Sequence, residues 1–187
     1  MDYMKPEEIV EYFKSNLGQS VIESKIETKI SGIKKKSYNI IWLKVKPENL
    51  KDAVKLLGKI DYPHFAIISG DDIGEEIELI YHFSIYYGER FKEISINLTT
   101  SLPKGDLKIP TITDLIPGVQ TSEREMKEMM GITFEGLPDL PNIFLPIDFS
   151  KGVFPFRKDE KGVYPLSKNG KYIGGNIIDK EEVKKVE

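Results

Sequence analysis

Few residues in this sequence have the types and spacing that chemistry demands. Glu123 and Glu125 are two nearby carboxylates, the residue pair that glycoside hydrolysis uses for acid and base work. Two positions apart on a helix, they point to different sides, and no pocket is evident between them. His64 and His82, with Asp71 and Asp72, bring imidazole and carboxylate groups, the donors of many metal sites. The histidines fall on separate predicted strands, where each is more simply satisfied by its neighbours. The stretch Gly70-Asp71-Asp72-Ile73-Gly74 reads as a turn. It lacks the lysine and the following serine or threonine of a phosphate loop. The chain contains no cysteine, which excludes disulfides, thiol catalysis, thiolate zinc sites and cysteine-ligated iron–sulfur clusters within it. The residues therefore point to no catalytic group, no cofactor and no metal in this chain.

The elements that must position whatever the chain does are clearer. Its 187 residues suit one domain plus an extension, and 40% hydrophobic residues suffice for a core. A net charge of -3 indicates neither nucleic acid nor an anionic membrane as partner. Nothing reaches the roughly 18 consecutive apolar residues of a spanning helix, and the first residues carry no signal core, so the chain reads as soluble. Lys/Glu/Ile richness without cysteine fits a cytoplasmic protein of a thermophile.

Pro6 to Asn16 is predicted to be a helix with Ile9, Tyr12, Phe13 and Leu17 on one stripe and Gly18 as its stop. Ser20 to Lys29 alternates, with Ile22, Ser24, Ile26, Thr28 and Ile30 facing a core and Glu23, Lys25, Glu27 and Lys29 facing water. Lys34, Lys35 and Lys36 mark a solvated hairpin tip, and Tyr38 to Val45 is a second strand with Trp42 as a core residue. A helix from Pro47 closing at Gly58, then a strand from Pro63 to Ser69, make a βαβ-like unit. Glu75 to Tyr87 and Phe91 to Thr100 are predicted to form an antiparallel hairpin. The expected fold class is α+β: a mixed, mainly antiparallel sheet with two helices on one face. Residues 1–103 form this lobe. Residues 104–187 carry a loop with proline breakers, a short helix and an extended C-terminal arm, with a hairpin turn at Asn169-Gly170 and an exposed helical turn or tail at the end.

Ser122 and Glu125 have the spacing of a capping box, and Gly131 stands where a C-cap glycine belongs. Met126, Met129 and Met130 share one face, suited either to a core or to an adaptable partner surface. From Ile132 to Phe156 the sequence is rich in phenylalanine, leucine and isoleucine yet broken by Gly136, Pro138, Pro141, Pro146, Gly152 and Pro155. Such a stretch is neither a disordered linker nor a long helix. It reads as an extended arm buried against something else.

Glu123-Arg124-Glu125, Glu128, Gly131, Phe134, Gly136, Pro138-Asp139-Leu140, Leu145-Pro146 and Arg157-Lys158-Asp159 together resemble the signature of the NuoC-type subunit of respiratory complex I and of complex-I-related hydrogenases. Leu137 stands where that family usually has histidine, and Pro141 and Asn142 where it has arginine. The resemblance implies a non-catalytic structural subunit in the hydrophilic arm of a membrane-bound, ion-translocating oxidoreductase. The departures favour an archaeal ferredoxin-linked [NiFe] hydrogenase or a sulfur reductase over an NADH/quinone complex. A free-standing binding module or small enzyme is the alternative.

Implied partners are a hydrogenase-large-subunit-like chain and a small iron–sulfur (NuoB-type) chain. A ferredoxin-like (NuoI-type) chain is a further candidate, and the membrane arm is reached indirectly, on the cytoplasmic side. Iron–sulfur clusters and a NiFe centre would belong to those partners. Glu123, Arg124, Glu125, Arg157 and Asp159 are expected to pin the arm through charge-assisted hydrogen bonds, because charges embedded in apolar sequence need partners.

Overall fold

The computed structural model describes residues 3–31, 33, 35–88, 92–149 and 151–158. Helix α1 (Pro6–Leu17) starts at proline, and the Glu8 carboxylate accepts the Lys5 backbone N–H at 2.8 Å. Its Ile9, Val10 and Phe13 are buried. Strands β1 (Val21–Ser31) and β2 (Lys36–Val45) follow as an antiparallel pair. After a 3₁₀ turn, α2 spans Leu50–Ile60. The helix runs through Gly58 rather than ending there. Burying Ile60 offsets the glycine cost of about 1 kcal/mol.

Strand β3 (His64–Asp72) also outlasts its predicted end. Gly70 is a point of close approach instead of a turn: a Cβ there would come within 2.9 Å of the Met126 sulfur. The turn comes later, where Ile73 donates its N–H to the Glu76 carbonyl at 3.0 Å. Strands β4 (Glu76–Ile85) and β5 (Ile94–Pro103) form the expected antiparallel pair.

The five strands lie in the order β1-β2-β5-β4-β3, with β2 and β5 the parallel neighbours. Contrary to the predicted βαβ-like unit, β2 and β3 are not neighbours. Strands β2 and β3 do run parallel, but β5 and β4 lie between them. The β4–β5 hairpin inserts into the middle because its two strands are the most completely buried.

All three helices cover the sheet face carrying Leu43, Leu79, Tyr81 and Leu98. The opposite face is polar. Trp42 is half-buried there, outside the core, beside a groove of about 320 Å³ lined also by Glu23, Lys25, Glu27, Lys44, Glu78 and Thr99. On edge strand β1 the predicted dry side is only partly covered. Ile26 packs on the core, whereas Ile22 and Ile30 are 58% and 70% exposed.

Past Pro103, the predicted loop contains β6 (Lys108–Pro110), which pairs in parallel with β7 (Thr133–Glu135). Helix α3 (Gln120–Met130) lies between them. It begins three residues earlier than its capping-box motif suggests, with Val119 rather than Ser122 at the N-cap. Ser122 and Glu125 sit inside the first turns, and a 3₁₀ turn at Pro117–Val119 starts the helix instead. No described helix is long and apolar enough to cross a membrane.

Candidate interaction site on helix α3 and the arm

Helix α3 uses its charged residues in two directions. Met126 and Met130 turn toward the sheet and are buried under Gly70. Glu123, on the same side, is fully buried. One of its oxygens accepts the Ile112 N–H at 2.9 Å and the other accepts the Thr111 hydroxyl at 2.5 Å. Glu123 thus fastens the segment after β6, not the arm, which corrects its expected role. Burial pushes its carboxyl above the usual range, against the pull of those two hydrogen bonds, and Asp114 adds to the rise.

The consequence is testable. Glu123→Ala strands a buried N–H and is expected to cost about 3 kcal/mol in chemical denaturation. Glu123→Gln keeps an acceptor for that N–H and should cost much less. A carboxyl whose folded pKa is raised stabilises the fold below the ordinary value of 4.5 and loses that contribution as pH rises through the folded value. The stability of the wild type relative to Glu123→Gln should therefore fall as pH rises above about 4.5.

The other direction holds the arm. Glu128 is 7% exposed, and its carboxylate accepts three consecutive backbone N–H groups: Ile143 at 2.7 Å, Phe144 at 2.8 Å and Leu145 at 3.0 Å. The Arg124 guanidinium donates to the Pro141 carbonyl, and Lys127 pairs with Asp139 at 2.9 Å. Further on, the chain folds back across the end of α3. Phe156 donates its N–H to the Met129 carbonyl at 3.0 Å, and Arg157 donates from Nε to the Met130 carbonyl at 2.8 Å. The Arg157 guanidinium also lies 4.2 Å over the Phe154 ring. Gly131 ends α3 in the left-handed region, φ 73°, directly beneath Phe154 and Arg157.

Lys158 closes the run. Its N–H reaches an Asp72 oxygen at 2.8 Å, and its ammonium reaches Asp71 at 2.7 Å. Asp72 also accepts from Lys104 at 2.9 Å and from the Gly74 N–H at 3.1 Å. Burial opposes ionisation at Asp72, but Lys104 and the backbone N–H groups of Lys158 and Gly74 bring its carboxyl down to about 2.

Asp71 and Asp72, weighed above as metal ligands, are thus occupied by lysines and backbone. The histidines go elsewhere. His82 bonds Ser69 and Asn97 at 2.9 Å each, and His64 stacks on Tyr87. Glu125 has no hydrogen-bond or ion-pair partner among the described residues, and Asp159 lies outside them, with the predicted hairpin at Asn169-Gly170 and the tail. Phe134 is buried within β7, and Leu137 packs against the core. Pro138, Asp139 and Leu140 are exposed. Sequence reading missed Lys104 and Thr111, since neither has any pattern that announces a partner distant in sequence.

The result is an arm fastened by its backbone. The Pro141 carbonyl and the N–H groups of Ile143, Phe144 and Leu145 turn toward α3, while the side chains of Leu140, Ile143, Phe144 and Ile147 stay exposed, as does Phe156. An apolar row of this kind, rimmed by Arg124, Lys127 and Asp139, has the character of a protein-binding face.

Residues 43–165 match the family model described as the respiratory-chain NADH dehydrogenase, 30 Kd subunit, over more than half of the chain. The chain belongs to this family. One relative, the membrane-bound hydrogenase subunit beta of Pyrococcus furiosus, is 35% identical over 66% of this chain and 71% of its own length. The C/D subunit of the NADH-quinone oxidoreductase of Pectobacterium carotovorum is 32% identical over 64% of this chain, but the match spans only 21% of that relative. The same fold occurs in a chain of the membrane-bound sulfane sulfur reductase, an archaeal respiratory membrane complex. The TM-score is 0.63, with 23% identity, 83% of this chain and 85% of that one covered. It also occurs in the trypsin-resistant fragment of Nqo5, with a TM-score of 0.55, 23% identity, 73% of this chain and 100% of the fragment.

Proposed function

We propose that this NuoC-type chain is a structural subunit of a complex-I-related, membrane-bound hydrogenase or sulfur reductase, attached peripherally on the cytoplasmic side. Residues 1–103 serve as a rigid lobe, and residues 104–187 carry the helix and arm that bind partners. Its partners are a hydrogenase-large-subunit-like chain and a small iron–sulfur chain, which hold the clusters and any NiFe centre. The chain itself carries no redox step. Electron transfer between clusters depends on fixed spacing, so a buttress contributes to function without chemistry of its own. One observation carries this reading. The arm's backbone is bound inward by Glu128 and Arg124, while Leu140, Ile143, Phe144 and Ile147 stay exposed.

Co-purification of the complex with Arg124→Ala and Arg157→Ala variants tests it. Arg157→Ala should lose most of the large and small electron-transfer subunits, because it frees the arm where it recrosses α3. Arg124→Ala, which removes one contact to a carbonyl, should have the smaller effect. Full assembly with both changes present would refute the role.

A further inference from the structure

Edge strand β1 is long, and its outer side has no partner strand among the described residues. Proteins usually blunt such an edge with a short strand, proline, a bulge or charged side chains, and β1 carries charges of both signs that a partner of matching order could neutralise. Here the register shift lies at the start, between Val21 and Glu23, and leaves 23–31 in regular pairing with β2. Exposed Ile22 and Ile30 stand at the two ends of the strand.

The order of residues along this edge is self-complementary. Around Ile26 as centre, Glu23 mirrors Lys29, Ser24 mirrors Thr28, and Lys25 mirrors Glu27. Every acid is matched by a base at the same distance on the other side, and every small hydroxyl by another. In an antiparallel pair, directly opposed residues share one face. Two copies related by a two-fold axis at Ile26 would therefore set Glu23 against Lys29 and Lys25 against Glu27 on the polar face. On the helix face Ile26 would meet Ile26, flanked on each side by Ser24 against Thr28. In the single chain the ion pairs among these residues run only along their own strand, Lys25–Glu27 at 2.5 Å and Lys29–Glu27 at 3.9 Å.

We infer that β1 is a homodimerisation edge. A second copy of this chain pairs antiparallel with it about Ile26, joining two five-stranded sheets into one. The inference is independent of the arm and goes beyond the structural role proposed above.

The absence of cysteine makes the register directly readable. In the full chain, Ile26→Cys should form a disulfide-linked dimer under mild oxidation, since directly opposed positions meet disulfide geometry. Ser24→Cys and Thr28→Cys should each link poorly alone and readily when mixed. Lys25→Glu opposes like charges twice across the axis and should weaken dimerisation by about tenfold in sedimentation equilibrium. Adding Glu27→Lys should restore it. Glu128→Ala, which disturbs only the arm, should dimerise like the parent, so failure of the structural-subunit reading and failure of this one are separable. A monomer at the highest soluble concentration overturns the proposal. So does a dimer in which Ser24→Cys self-links as well as Ile26→Cys, or one unmoved by Lys25→Glu.

Discussion

In the Glu128→Ala variant, the backbone amides of Ile143, Phe144 and Leu145 should exchange with solvent about 100-fold faster, with little change in global unfolding. One carboxylate satisfies all three N–H groups, and it is nearly buried, so its bonds are charge-assisted and poorly screened. Three such bonds, each worth about 1.5 kcal/mol before the entropy of ordering the segment, leave about 3 kcal/mol, which corresponds to the stated factor. Arg124 still reaches Pro141 and Lys127 still reaches Asp139, but both lie before the three amides and cannot hold them. The core cluster does not include residues 138–149, which is why the melting transition should barely move. Glu128→Gln should fall between the two, because its amide presents only one acceptor oxygen to three donors. Hydrogen exchange read by mass spectrometry decides the matter. Unchanged protection at 143–145 would remove Glu128 from its place as the arm's anchor.

Gly131→Ala is expected to destabilise the chain by about 2–4 kcal/mol and to release the arm's far end. Two causes add. The residue sits at φ 73°, where a side chain costs about 1 kcal/mol or more. A Cβ would also stand 2.5 Å from Phe154 Cζ and 2.7 Å from an Arg157 nitrogen. Those groups would have to move, and moving them breaks the Arg157 bond to Met130 and its stacking on Phe154. Gly118→Ala is the control. Position 118 has open space around it and no left-handed backbone, so substitution there should be nearly neutral. Thermal unfolding compares the two, and exchange at Phe156 reports the arm. Equal melting temperatures for both variants would contradict the account.

How far the sequence could be read depended on the range of the interactions involved. Helices α1 and α2 and the β4–β5 hairpin follow from periodicity and breakers within a dozen residues, and all of them form, with ends shifted by up to three residues for α2 and β5. Errors arose where a distant element overrode a local cue. Gly58 looks like a stop, but burial of Ile60 carries the helix past it. Gly70 looks like a turn, but it is small because α3 packs there. Ser122 and Glu125 look like a capping box, but Pro117 starts the helix first. The parallel pair β6–β7 left no local trace, since each strand is three residues long.

At the candidate site the same division holds. The sequence by itself determined that residues 132–156 would be apolar and kinked, that α3 would end at Gly131, and that this region carries the NuoC-type family pattern. Composition and glycine or proline placement act locally and need no partner to be read. Only the tertiary structure decided which charge holds what: Glu123 to the Thr111–Ile112 segment, Glu128 to three arm amides, Asp72 to Lys158. Those pairings join positions 11 to 86 residues apart. A carboxylate's partner is set by where the folded backbone brings an N–H or an ammonium, and one-dimensional spacing does not encode that.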